Sequence, residues 1–340
     1  MDNINEEKPR LILREHDIIE NNSRISTVFD NQFDVKSFKK KFQIVIVRHD
    51  QTDMEFDLIG IHPSLVNCFR RLILSEVQTM AIDKVHVLNN TSIMQDEILA
   101  HRLGLIPLKA DPRLFETKCD SKAAPDEKDT LEFELKIKCS NNKDSSKKES
   151  SRAEDMYKNS NVYSKHIKWV PIGGQKSKFK ENEVGPIHSD ILITKMRPGH
   201  ELDLKLFAFK SNGKDHAKFS PVATVFYRLL PDIRLVKPVE GEAALRLQKC
   251  FSPGVITVKK DGDKQYAVLN ENQARYDMSS RNVFRYEDLI DSVVMSKVHD
   301  HFIFTIESVG ALPPEAIFRE AVTILKDKCS SLLTELSSIM

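Results

Sequence analysis

The sequence predicts an α+β fold. Runs in which apolar and polar residues alternate, the period of a half-buried strand, recur through most of the chain. Two stretches change to the helical period, "HPSLVNCFRRLILSEVQTM" early and "PPEAIFREAVTILKDKCSSLLTELSSIM" at the end. Hydrophobic residues make up 40% of the 340 and charged ones 30%, which suits a folded chain with a substantial core.

Residues 1–39 carry no clear period and are expected to form an extended arm. "KFQIVIVRHD" followed by "TDMEFDLIGI" predicts a hairpin; in its second half Met54, Phe56 and Leu58 alternate with Glu55 and Asp57 on a wet face. In the first helix Leu65, Phe69, Leu72 and Ile73 share a side, and Pro63 suits the first turn, where its missing N–H costs nothing. Asn67 and Arg71 fall opposite. Glu76 falls on the apolar side, which implies fraying there or a polar partner.

"LEFELKIKC" (131–139) alternates cleanly and predicts a strand with one solvated face. The Ser- and Lys-rich run that follows, within about 140–160, has too few apolar residues to offset the cost of ordering and reads as a mobile loop. "DILITKM", "ELDLKLFAF", "PVATVFYRLLP" and "HDHFIFTIESVG" are further strands. The terminal helix carries Ile317, Ala321, Ile324, Leu325, Leu332, Leu336 and Ile339 on one face. At about 1.5 Å per residue it is about 40 Å long, more than one sheet needs, and the surplus apolar length asks for a partner.

"NNTSIMQDEILAHRLGLIPL" (89–108) holds Asp96, Glu97, His101 and Arg102, the side-chain types of an acid–base site. The pattern also fits an ordinary helix. Ser92 and Gln95 form a capping box, Asp96 and Glu97 sit in the favoured first turn, and Gly104 is the left-handed residue past the end. Only His101 and Arg102 lack such a role. No H-E-x-x-H, G-x-S-x-G, Walker or G-x-G-x-x-G motif accompanies them, and Gly173-Gly174 stands alone. No catalytic residue is expected.

The net charge of +1 gives no global attraction for nucleic acid. "KSKFK" (176–180), with Phe179, is the best local candidate for such binding, and solvated surface is the plainer reading. Cys68, Cys119, Cys139, Cys250 and Cys329 form no C-x-x-C pair and are odd in number, so neither a disulfide framework nor a zinc knuckle is expected, and a reducing compartment fits. "MDNINEEKPR" lacks the features of a signal peptide, and no apolar run reaches the roughly 20 residues of a membrane span.

"NCFRRLILSEVQTMAIDKVHVLNNTSIMQDEILAHRLGLIPL" closely resembles the alpha-like subunits of multisubunit RNA polymerases, the superfamily of the bacterial alpha N-terminal domain and its archaeal counterpart. "DHAKFSPVATVFYRLLP", "LQKCFSPGVITV" and "SRNVFRYEDLIDSVVMSKVHDHFIFTIESVGALPPEAIFREAVTILK" resemble the branch of larger alpha-like subunits shared by eukaryotic polymerases I and III. The likeness covers most of 40–330. It implies a discontinuous dimerisation domain, a sheet plus two long helices from 40–80 and 297–340, with a mostly β domain, 81–296, inserted.

The resemblance also implies a non-catalytic assembly subunit. It would pair with the smaller alpha-like subunit as a platform for the largest and second-largest subunits, in the synthesis of ribosomal RNA precursor, 5S rRNA and tRNA. The equivalent subunit of polymerase II or of an archaeal enzyme is the alternative. Leu65, Phe69, Leu72, Ile73, Ile317, Ala321, Ile324, Leu325, Leu332 and Leu336 would form the dimer interface, and Arg70 and Arg71 the contact with a large subunit. No cofactor or metal is expected, since the cysteines lack the zinc or iron–sulfur grouping of some relatives. Nucleic acid would be met only through the complex, no membrane is involved, and the location would be nuclear, in nucleolus and nucleoplasm.

Overall fold

The computed structural model describes residues 10–20, 34–117, 124–142, 156–180, 182–262 and 264–339. The main elements are β1 (Arg10–Leu13), β2 (Ile18–Glu20), α1 (Val35–Lys41), β3 (Gln43–His49), β4 (Asp53–Ile59), α2 (Pro63–Ser75), β5 (Thr79–Asn90) and α3 (Asp96–Gly104). There follow β6 (Thr130–Lys138), β7 (Lys168–Val170), β8 (Glu201–Ser211), β9 (Val222–Leu235), α4 (Glu242–Cys250), β10 (Ile256–Asp261), β11 (Lys264–Leu269), β12 (Val293–Ser308) and α5 (Pro314–Ile339). The α+β class is as the sequence predicts.

The chain divides into two compact units, Met1–Arg48 with Glu55–Asn67 and Phe226–Thr305, and His49–Met54 with Cys68–Val225 and Ile306–Met340. These boundaries do not follow the expected inserted segment, 81–296. Residues 226–305 fall with the first hairpin because β9 pairs β12, in the sheet that also holds β3 and β4.

The first unit is organised on a sheet in the order β2-β1-β12-β4-β3, with β9 also paired to β12. The expected arm is not wholly periodless. Residues 10–20 form a hairpin docked on β12, with Arg10 opposite Val298, and α1 is capped by Asp34, whose carboxylate accepts from Lys36 N and Ser37 N. Residues 1–9 and 21–33 of that arm lie outside the described residues. Beneath the sheet Ile233, Leu247, Val255, Leu289 and Met295 form a core. Gly60 ends β4 at φ +73°, and a Cβ there would lie 2.5 Å from the Lys41 carbonyl oxygen, so the turn admits only glycine.

The second unit carries a sheet in the order β7-β6-β8-β5. The buried face of β6, with Leu131, Phe133, Leu135 and Ile137, joins Leu99, Leu103, Leu204 and Leu206 in one core. Its other face is wet, as the alternation predicts, and its charges meet opposite ones on β8. Lys136 lies 2.8 Å from Asp203 and Lys138 3.3 Å from Glu201, each directly across the ladder. Those pairs fix the register, because a one-residue slip would turn lysines into the core. Most of the expected loop at 140–160, residues 143–155, lies outside the described residues, as does Cys119.

Candidate functional site

The terminal helix α5 has two halves with different surroundings. Pro314 opens it and Glu315 follows in the first turn, its carboxylate 3.0 Å from His49 Nε2. That hydrogen bond holds the Glu315 carboxyl below its ordinary range. Ile317 and Ala321 are fully buried, and the Phe318 ring lies 5.3 Å from Phe69 of α2. Glu76, just past α2, accepts from Lys214 at 2.5 Å and from Lys328 at 2.6 Å. Of the two outcomes the sequence left for Glu76, a polar partner is the one found.

From Lys326 to Ile339 every residue is exposed. Leu332 is 60% accessible, Leu336 58% and Ile339 82%. Val322, Leu325, Cys329, Leu332, Leu336 and Ile339 follow one another at alternating spacings of three and four, the seam of a helix that packs lengthwise on another helix. The helix's hydroxyls do not contribute to this face. Thr323, Ser330, Thr334 and Ser337 each donate to the carbonyl four residues back and are satisfied within the helix. An apolar seam in water is unfavourable at about 25 cal/mol per Å², which a second chain can relieve.

The residues expected at an interface are thus distributed unequally. Leu72, Ile73, Ile317 and Ala321 are buried within the chain itself, where they close its own core. Phe69, Ile324 and Leu325 are half-buried, while Leu65, Leu332 and Leu336 are exposed. Val322, Cys329 and Leu333 were not singled out, although counting back from Leu332 in threes and fours reaches the first two. A second exposed apolar element is β3, an edge strand on which Ile44, Val45, Ile46 and Val47 are all accessible. On α2, Arg71 is exposed and Arg70 half-buried.

The acid–base candidates at 89–108 do not form a site. Asp96, Glu97 and His101 are exposed. The capping box is not made: Gln95 is the N-cap with no side-chain bond, and Ser92 Oγ instead donates to Asn90 Oδ1. Asn90 Nδ2 also donates to the Asp96 carboxylate at 2.6 Å, which ties the strand before the helix to its first turn. Gly104 is the last helical residue and not a left-handed cap. A Cβ there would lie 3.2 Å from the Ile82 carbonyl oxygen, and close approach to β5 is what it permits. Arg102 does have a structural role, donating to the carbonyls of Ile193 and Leu192 at 2.8 and 2.7 Å.

Sequence reasoning missed a buried ionic cluster in the first unit. Asp57, expected on the wet face of β4, is buried and bonds Arg275 Nη2 at 2.9 Å and His301 Nε2 at 3.0 Å. Glu55 meets Arg275 at 3.0 Å, and Arg228 donates to the Arg275 carbonyl. Arg275 and His301 lie more than two hundred residues from Asp57, so no local pattern in the sequence could reveal them. Burial pushes the Cys139 and Cys250 thiols up, which keeps both protonated. Among the described residues no three His, Cys, Asp or Glu side chains converge to hold a metal ion, and no helix is long and apolar enough to cross a membrane.

The described surface thus carries an exposed helical seam on α5 and an exposed apolar edge strand, β3. Residues 55–329 match the model of the RNA polymerase Rpb3/Rpb11 dimerisation domain. The chain belongs to that family. It is 50% identical over 312 residues to the mouse "DNA-directed RNA polymerases I and III subunit RPAC1", covering 92% of this chain and 89% of the relative. It is 45% identical over 307 residues to the RPAC1 subunit of Saccharomyces cerevisiae, covering 89% and 90%. Similarity to the Arabidopsis thaliana "DNA-directed RNA polymerases II, IV and V subunit 3" is lower, 31% over 308 residues, covering 86% and 91%.

Proposed function

We propose that this chain is the larger alpha-like subunit shared by RNA polymerases I and III, acting in assembly without chemistry of its own. Identities of 45–50% to subunits named for polymerases I and III, against 31% to one named for polymerases II, IV and V, favour this branch. Such a subunit works in the nucleus, and the polymerase I share of it in the nucleolus.

The exposed seam of α5 carries the pairing reading. Leu332, Leu336 and Ile339, with the half-buried Leu325 and Ile324, would pack along a helix of the smaller alpha-like subunit. Leu65 and Phe69 of α2 would contribute to the same pairing. The four buried members of the expected set support it from beneath by fixing α2 and the first turns of α5. Arg70 and Arg71 meet the second-largest subunit, a guanidinium fork being suited to carboxylates and carbonyl oxygens. The largest subunit joins that platform, and nucleic acid is met only through the assembled enzyme.

Purification of the native complex through a tag on this chain tests the reading. The smaller alpha-like subunit should co-purify in an amount equal to the tagged chain, together with the large subunits of both polymerases I and III. Recovery of polymerase II chains alone would refute it.

A further inference from the structure

The chain's single tryptophan, Trp169, lines a cleft of about 860 Å³ in the second unit. Lys109, Lys165, Lys168, Lys176 and Lys180 line it too, and among the described residues no aspartate or glutamate does. All five lysines are exposed, and none has an ion-pair partner among the described residues. Lys178, in the same run, instead pairs with Glu127 at 3.4 Å. Five like charges around one concavity repel one another and focus a positive potential into it, which an anionic ligand would relieve.

Two features favour a polypeptide as that ligand. β7, which bears Lys168 and Trp169, is an edge strand that among the described residues pairs only with β6, so one side of its backbone can accept another strand. Single-stranded nucleic acid would need aromatic faces open for base stacking. Phe179 is already stacked on Phe115, with centroids 5.4 Å apart and planes at 13°, and both Phe179 and Trp169 pack against the core.

We infer that this cleft docks an acidic, extended segment of another protein, whose carboxylates are taken by Lys165, Lys168, Lys176 and Lys180. The inference does not depend on the pairing of α5, which involves other residues of the chain.

Because Trp169 is the only tryptophan, its emission reports on the cleft. The full-length chain is titrated with a glutamate decapeptide, with Trp169→Phe as the blank. A saturable change in emission is expected, lost as salt rises to roughly 0.5 M. Lys168→Gln combined with Lys176→Gln should weaken it about tenfold, and the same two positions as arginine should retain it. Circular dichroism establishes that the variants keep the fold. No saturable change, or equal affinity for the glutamine variant, overturns the proposal. So does tighter binding of a thymidine decanucleotide, which would make the cleft a nucleic-acid surface. An equal response to inorganic phosphate at matched charge would reduce it to a site for small anions and overturn it as well.

Discussion

Lys328 Nζ donates to Glu76 Oε1 at 2.6 Å, joining the long terminal helix to the residue just past the end of the first helix. Lys214 holds the same oxygen from the other side. Beyond Lys328, among the described residues, the hydrogen bonds drawn by side chains of α5 are within the helix. The Glu76 knot therefore marks where α5 passes from covering its own chain to standing in solvent, and it sets the direction in which the apolar seam is presented.

Glu76→Gln should loosen that anchor at a cost of about 0.5–1 kcal/mol per lost pair. The hydrogen bond from Lys214, then that from Lys328, hold the Glu76 carboxyl below its ordinary value of 4.5. A depressed carboxylate contributes stability above its unfolded value, and the contribution is lost as pH falls through the folded one. The gap in thermal midpoint between wild type and Glu76→Gln should be constant from neutral pH to about 5, then close on further acidification. A gap that widened in acid would mean that the lysines do not hold this carboxylate.

Leu332→Asp should leave the chain folded and prevent pairing with the smaller alpha-like subunit, since Leu332 is 60% accessible here. Leu72→Asp should behave differently. Leu72 is 6% accessible, and an unpaired charge there costs about 3–5 kcal/mol, enough to unfold the chain before any partner is met. Soluble yield and heterodimer yield from co-expression separate the two. Folded, monomeric Leu72→Asp would mean that the helix packs otherwise.

Much of this could be read from the residues alone, for a physical reason. β6 and the face of α5 are written in local periodicity, and Leu131, Phe133, Leu135 and Ile137 alternate because one neighbour, the core, acts on all of them. What periodicity cannot say is which covered residues are covered by the chain and which by a partner. Ile317 and Leu336 share one stripe in the sequence, yet one is buried and the other 58% accessible. Asp57 misleads for the complementary reason. Its place in the alternation says solvent, and only Arg275 and His301, distant in sequence, make burial affordable. The pattern around Gly104 points to a left-handed cap, whereas the close approach of β5 that a glycine permits there leaves no local mark.

Asp57→Asn should therefore destabilise the first unit by about 2–3 kcal/mol, since it leaves the Arg275 guanidinium with Glu55 as its remaining carboxylate partner. Urea denaturation followed by circular dichroism measures it. A loss below about 0.5 kcal/mol, the scale of an ordinary surface change, would show that the cluster is not coupled to folding.

Arg71→Ala addresses the far side of α2. Arg71 is exposed, and its backbone carbonyl accepts from Ser75 Oγ, a bond the substitution keeps. An exposed charge of this kind is worth about 0–1 kcal/mol to the chain, so the variant should fold and pair with the small subunit normally. In the assembled enzyme the same guanidinium would lie against the second-largest subunit, desolvated and bonded in a fixed geometry, where its loss costs more. Pull-down of the tagged variant should return the small subunit in full and the second-largest subunit at reduced yield, and Arg71→Lys should restore only part of it, because an ammonium cannot reproduce the planar fork. Full recovery of the large subunit would return Arg71 to the solvated surface. Loss of the small subunit as well would place the pairing face on the other side of α2.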